Sequence, residues 1–167
     1  MALITLADLP PKEQSLIAAI LAGMPPYKLK LLSYGWTEDY LPPKGPKDCT
    51  RRNWKDCTLA HWQRGFDAGR VWHRAISKNL GWGGKDIGLI RLKERPHRQF
   101  LAEMPDSDLV AEGGMVDSVS EFIDRYFDGN STLNVAVIRF DFLPLPSTSE
   151  QSEAFALINP PAQLSLL

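Results

Sequence analysis

Residues 51–82 read RRNWKDCTLAHWQRGFDAGRVWHRAISKNLGW, and we expect the rest of the chain to be organised around them. From position 59 to position 80, apolar side chains recur every three or four residues, which is the period of one helical face. Basic side chains step by four beside that face, at Arg70, Arg74 and Lys78, with Arg64 close to them. Glycines at positions 81, 83 and 84 are typical of a helix end. The spacing predicts one long central helix over about residues 58–80.

Length and composition indicate a globular protein. The chain has 167 residues, of which 44% are hydrophobic and 23% are charged. No apolar run approaches the roughly 20 residues that a membrane helix needs, and the first residues lack the pattern of a secretory signal. We expect a cytoplasmic protein without a membrane partner. It would have one globular domain over residues 1–146 and a tail over residues 147–167.

Two shorter patterns predict helices on either side of the central stretch. Apolar spacing predicts helices over residues 12–24 and 27–34. Further along, Ser118 and Glu121 form a capping-box pattern in front of another helix.

Alternating side chains predict strands over residues 86–93 and 133–142. Two strands alone make a poor sheet, so a third is expected from the N-terminus or from residues 99–103. The predicted fold class is α+β, with a small antiparallel sheet packed against helices on one of its faces.

Positive and negative charges are segregated along the chain. Residues 44–102 hold 14 Lys and Arg against 5 Asp and Glu, whereas residues 103–167 hold 2 against 11. Such a division favours a polyanionic partner, or an acidic part that covers the basic part within the fold or in a dimer. The residues that we predict to bind nucleic acid are Arg51, Arg52, Lys55, Arg70, Arg74, Lys78, Lys85 and Arg91.

Four of the five tryptophans also fall in the basic segment, where an exposed indole could stack on a base. Trp62 and Trp72 stand at helical spacing, and we predict that both belong to the core.

The chain ends in Gln163-Leu164-Ser165-Leu166-Leu167. This pentapeptide resembles the linear motif, roughly Gln-Leu-(Ser/Asp)-Leu-(Phe/Leu), by which bacterial polymerases, mismatch-repair proteins and replication regulators bind the β sliding clamp. The resemblance implies that Gln163 fixes the register while the leucines fill apolar pockets. Leu167 departs from the commonest final Phe. The alternative is that the three leucines pin the tail to its own domain.

Metal and catalytic signatures are sparse. Cys57 and His61 are four residues apart, as metal ligands can be on a helix, but Cys49 and His73 lie far from them along the chain. No GxSxG, HExxH, GxGxxG or GxxxxGK[ST] pattern is present. We predict no enzyme, no metal and no cofactor, and a metal-dependent enzyme built on these four residues is the distant alternative.

Together these patterns predict an accessory protein of bacterial DNA replication or repair, or of a mobile element such as a phage or plasmid. Its tail would bind the clamp, and its basic helix would bind nucleic acid. The alternative is a protein-interaction module, such as an inhibitor or regulator of a host defence or regulatory complex. In that case the tail would be structural and the charges would serve a protein partner.

Overall fold

The computed structural model describes residues 3–145, so the pentapeptide Gln163–Leu167 lies outside the described residues. The helices are Pro11–Leu21 (α1), Asp56–Asp67 (α2), Asp108–Ala111 (α3) and Val119–Phe127 (α4). The strands are Leu31–Ser33 (β1), Cys49–Arg52 (β2), Trp72–Ile76 (β3), Asp86–Leu92 (β4), His97–Phe100 (β5) and Asn134–Pro144 (β6). Short 3₁₀ helices span Leu6–Asp8, Glu38–Tyr40, Leu80–Trp82 and Leu101–Glu103. The α+β class is confirmed.

The six strands within residues 3–145 form one curled, mixed sheet in the order β1-β3-β4-β6-β2, and β5 also pairs with β6. β1 runs parallel to β3, and the other neighbours are antiparallel. The long strand β6 is the spine of the sheet, because β2 pairs along one side and β4 and β5 pair along the other. The purely antiparallel sheet that we predicted is therefore corrected by the β1–β3 pair.

The predicted helix over residues 58–80 is wrong. α2 ends at Asp67, and Gly69 then takes a left-handed conformation with φ of +77°, which turns the chain into β3. β3 lies inside the sheet, and its apolar residues Trp72, Ala75 and Ile76 are buried on both of its faces, with His73 and Arg74 as its polar members. A strand of that kind cannot be told from a helix by apolar spacing alone.

Most of the other predicted helices and strands are confirmed, and one predicted helix is wrong. α1 and α4 confirm the helices expected after residue 12 and after Ser118, whose hydroxyl accepts a hydrogen bond from the Glu121 N–H at 3.1 Å. β4 and β6 confirm the two predicted strands, and β5 supplies a third close to the expected place. The helix predicted over residues 27–34 is wrong, because this segment contains β1.

Helices cover both faces of the sheet, not one as we predicted. On one face, Leu59 and Trp62 of α2 pack against Ile90 of β4 and its neighbours. On the other face, Ile17 of α1 packs against Trp72 of β3. Trp62 and Trp72 are both buried, which confirms their core assignment. Within residues 3–145, no helix has the length and apolar character that crossing a bilayer requires.

Candidate nucleic-acid interface

Arg51, one of the residues predicted to contact nucleic acid, lies in a buried ion-pair network beneath α3. It is 5% exposed, and its guanidinium donates to Asp108 and, at 2.9 Å, to Glu112. Lys47 donates to Glu112 at 3.0 Å, and Arg139 donates to Asp108 at 2.9 Å. Burial by itself would raise the pKa of Asp108, but hydrogen bonds from Arg51 and Arg139 hold that pKa below its usual value. This placement corrects the prediction, because a buried and paired guanidinium cannot reach a phosphate.

Arg74 and Arg91 are neutralised as well. Arg74 makes two hydrogen bonds to Asp86, at 2.7 and 2.8 Å. Arg91 binds Glu13 of α1 at 2.9 Å and Asp141 of β6 at 2.8 Å. Of these carboxylates only Asp141 belongs to the acidic part of the chain. The alternative of internal covering therefore describes the pair of Arg91 with Asp141 and the pairs of Arg51 with Asp108 and Glu112, but not the pair of Arg74 with Asp86. Neither Arg74 nor Arg91 offers a free charge to a polyanion.

The other predicted residues do not form one surface. Lys55 is exposed just before α2, and Lys85 is exposed just before β4. Arg52 is half-buried. Its guanidinium donates a hydrogen bond to the Ser33 carbonyl and lies 5.7 Å from the ring centre of Tyr34. The two remaining residues, Arg70 and Lys78, are exposed in different parts of the molecule.

Arg70 belongs to a basic surface at the end of α2, beside the segment that leads into β1. We call this surface the basic patch, and its members are Lys28, Lys30, His61, Arg64 and Arg70. Burial and then the charges of Arg70 and Arg64 lower the pKa of Lys30. The charge of Lys30, ahead of burial and the three other cations, lowers the pKa of His61. Among residues 3–145, no carboxylate lies within 4.0 Å of a charged nitrogen of the patch.

Buried His73 links Lys30 to Arg70, two members of the basic patch that come from different segments of the chain. Its Nδ1 accepts a hydrogen bond from the Lys30 N–H at 3.1 Å, so Nε2–H is the donor to the Arg70 carbonyl at 3.0 Å. The ring meets Trp62 edge-on at a centroid distance of 4.8 Å. Burial, followed by the charge of Lys30, lowers the pKa of His73 to about 4. The imidazole is therefore neutral at pH 7, with both nitrogens paired.

Sequence reasoning missed most of the basic patch. Lys28 and Lys30 lie in the first 43 residues, where the charges nearly balance, so nothing marked them as part of a basic surface. The parallel pairing of β1 with β3 carries Lys30 next to Arg74, where the Arg74 N–H donates to the Lys30 carbonyl at 2.9 Å. A non-local pairing of that kind has no local signature in the sequence.

The cysteines and histidines do not assemble into a site. Cys49 is buried and Cys57 is exposed, and burial raises the pKa of the Cys49 thiol to about 12. In the part of the chain that the structure describes, no three His, Cys, Asp or Glu side chains come close enough to hold a metal ion. The distant alternative of a metal-dependent enzyme gains no support from this arrangement.

The chemistry of the basic patch is that of binding. Lysine and arginine neutralise phosphates and release counterions, and the arginine fork also donates paired hydrogen bonds to phosphate oxygens. All five members are basic side chains, so the patch itself contains no carboxylate or thiol nucleophile. No protein-family model, curated protein or solved structure matches this chain.

Proposed function

We propose that this protein binds nucleic acid through the basic patch and the bacterial β sliding clamp through residues 163–167. It would act in the cytoplasm as an accessory protein of bacterial DNA replication or repair, or of a mobile element. The observation that carries the proposal is the cluster of five basic side chains, to which residues 3–145 supply no carboxylate within 4.0 Å. Tethering to the clamp would raise the local concentration of a weak DNA-binding surface, so neither contact needs to be strong.

The electrostatics of the basic patch favour a polyanion. Like charges that stand close together disfavour one another: the charge of Lys30 is the main cause of the lowered pKa of His61, and Arg70 and Arg64 add to the effect of burial in lowering the pKa of Lys30. A phosphate chain would relieve the repulsion at several members at once. Arg74 and Arg91 have carboxylate partners within the fold, whereas among residues 3–145 no member of the basic patch has one.

Removing two charges from the basic patch should weaken binding to nucleic acid and flatten its dependence on salt. We expect Arg64→Ala combined with Arg70→Ala to reduce the slope of log K against log salt by about 2, because each lost phosphate contact removes about 1. The measurement is fluorescence anisotropy of a labelled oligonucleotide at several salt concentrations.

The matched control removes two arginine or lysine charges that the fold already pairs. Lys93 binds Asp48 at 2.8 Å and Arg95 binds Asp67 at 2.9 Å, so Lys93→Ala combined with Arg95→Ala should leave the slope nearly unchanged. Equal losses in the two double variants would show a diffuse charge effect and not a patch. Absence of binding by the unaltered protein at low salt would end the nucleic-acid half of the proposal.

The clamp half of the proposal has its own test. Gln163→Ala combined with Leu164→Ala should abolish binding of the full chain to a bacterial β sliding clamp, because the peptide loses its polar anchor and one apolar contact. The control, Gln151→Ala combined with Leu157→Ala, changes the same residue types elsewhere in the tail and should bind normally. A labelled peptide of residues 158–167 that shows no binding in a polarisation assay would refute this half.

A protein-interaction module remains the second candidate function, and one observation favours it. Ion pairs within the fold neutralise much of the basic segment, including Arg51, Arg74 and Arg91. The segregated charges would then serve the fold, with a protein as the partner. The oligonucleotide titration above separates this function from the first, since a protein partner predicts no nucleic-acid binding even at low salt.

A further inference from the structure

Two exposed tryptophans lie on the loops that follow the two parallel strands, and both line the same cleft. β1 and β3 end at Ser33 and Ile76, and the loops that follow them carry Trp36, 92% exposed, and Trp82, 80% exposed. The carboxyl ends of parallel strands are a common place for ligand sites, because two loops diverge there. Large indoles are seldom left so open without a partner.

Backbone contacts hold both loops in place. The Tyr34 N–H donates to the Ile76 carbonyl at 2.9 Å, which fixes the start of the first loop against the end of β3. In the second loop, the Ser77 N–H donates to the Lys85 carbonyl at 2.9 Å. A Cβ at Gly84 would lie 1.9 Å from the Lys78 carbonyl oxygen, so the loop closes this tightly only with glycine there. The two indoles are thus presented by well-bonded loops.

A cleft of about 650 Å³ opens between these loops, β2 and α4. Its size falls in the range of pockets that hold small organic ligands. One wall is apolar and is formed by Met115, Phe122, Phe127 and Leu133. Trp36 and Trp82 also line the cleft, so a flat ring bound there has both aromatic and apolar side chains within its lining.

The charges around the cleft suit an anion. Arg52 and Lys78 lie on its walls, and within residues 3–145 neither is paired with a carboxylate. At the floor, the carboxylate of Glu112 is already bound by Arg51 and Lys47. Asp128 is the remaining carboxylate among the lining residues, and it lies on the α4 side.

We propose that this cleft binds an unstacked nucleobase together with its phosphate. Trp36 and Trp82 would provide the stacking surface, and Arg52 and Lys78 would neutralise the phosphate. This inference rests on the proposed function and adds that the nucleic acid is single-stranded. β1 runs from the basic patch to the cleft, so one strand of nucleic acid can contact both. Lys30 and Tyr34 are separated by roughly 13 Å of extended strand, which a short stretch of single strand can follow.

The basic patch alone does not distinguish single-stranded from double-stranded nucleic acid, whereas a stacking site for an unpaired base does. Bases in a duplex are stacked on one another and cannot reach an indole, whereas bases in a single strand are free to do so. A free nucleotide offers the same chemistry as one unit of a single strand. Comparing a mononucleotide, a short oligothymidylate and a duplex of equal length separates these sources.

The test uses the full chain with Trp36→Ala, Trp82→Ala and the double variant. Each single variant should weaken binding to the oligothymidylate between about fivefold and a hundredfold, because the loss of a stacking side chain costs about 1–3 kcal/mol per base. Duplex binding should change little. In the unaltered protein, the oligothymidylate should quench tryptophan fluorescence, and the double variant should lose this quenching. Far-ultraviolet circular dichroism checks that the variants stay folded.

Met24→Ala is the matched control, since Met24 is 71% exposed and does not line the cleft. It should bind like the unaltered protein. If the tryptophan variants bind the single strand normally while the patch variants lose binding, the cleft proposal is overturned and the proposed function stands. If the protein binds neither the oligothymidylate nor the duplex, but a mononucleotide quenches the fluorescence of Trp36 and Trp82, the cleft is a free-nucleotide site and the proposed function fails. No quenching by any of the three ligands overturns the cleft proposal.

Discussion

Arg51→Ala should lower the free energy of unfolding by about 3–5 kcal/mol, a large part of the 5–15 kcal/mol that holds a typical domain together. Arg51 pairs with Asp108 and Glu112 at a buried site, so its removal takes one cationic partner from each of two buried carboxylates and leaves them only Arg139 and Lys47. The measurement is urea denaturation, in which the midpoint should fall while the slope stays the same.

Arg95→Ala is the control for this experiment, because Arg95 pairs with Asp67 at the surface. Exposed pairs contribute at most about 1 kcal/mol, so this variant should unfold close to the unaltered protein. A small effect of Arg51→Ala, similar to that of Arg95→Ala, would mean that water reaches the network and that α3 is held by other contacts.

His73 should make the protein less stable as the pH falls from 6.5 to 4. In the fold, burial and then the charge of Lys30 lower the pKa of His73 to about 4, whereas an unfolded histidine has a pKa near 6.5. Between these values the unfolded chain binds the proton and the folded protein does not. Protonation therefore favours unfolding, and the total loss reached below pH 4 is about 3 kcal/mol.

Denaturation at a series of pH values measures this dependence. His73→Gln should remove most of the slope between pH 6.5 and 4, because glutamine does not titrate there. His61→Gln should retain most of it, since His61 is exposed. Asp108 acts at lower pH, because its pKa lies below the usual value and its contribution is lost only as that carboxyl becomes protonated. A slope that survives His73→Gln would show that another group titrates in this window.

Local patterns predicted the elements whose signals are themselves local. The cap at Ser118, the apolar spacing of α1 and the alternation of β4 and β6 depend on neighbours a few residues apart, and the structure confirms them. The failure at residues 58–80 has a physical cause. The predicted helix runs through Gly69, but in the fold Gly69 has a positive φ and lies between the end of α2 and the start of β3.

The basic patch and the buried ion pairs depend on contacts between residues far apart in the chain, so local patterns in the sequence do not predict them. Arg51 and Asp108 are 57 positions apart, and nothing near Arg51 indicates that its charge is used inside the fold. Lys30 and Arg70 come together only because β1 adds to β3 in parallel. Charge segregation predicted a basic surface, but it did not show that Arg74 and Arg91 are paired with Glu13, Asp86 and Asp141 inside the fold.

The half-buried side chain of Arg52 lies where another copy of the protein would add to the edge of the sheet. It extends from β2 to the carbonyl of Ser33 at the end of β1, and these two strands end the main run of the sheet. Open strand edges are templates on which other chains add strands and grow into fibrils. Because the Arg52 guanidinium occupies the Ser33 carbonyl, that group at the end of β1 is not left free to accept a hydrogen bond from an added strand.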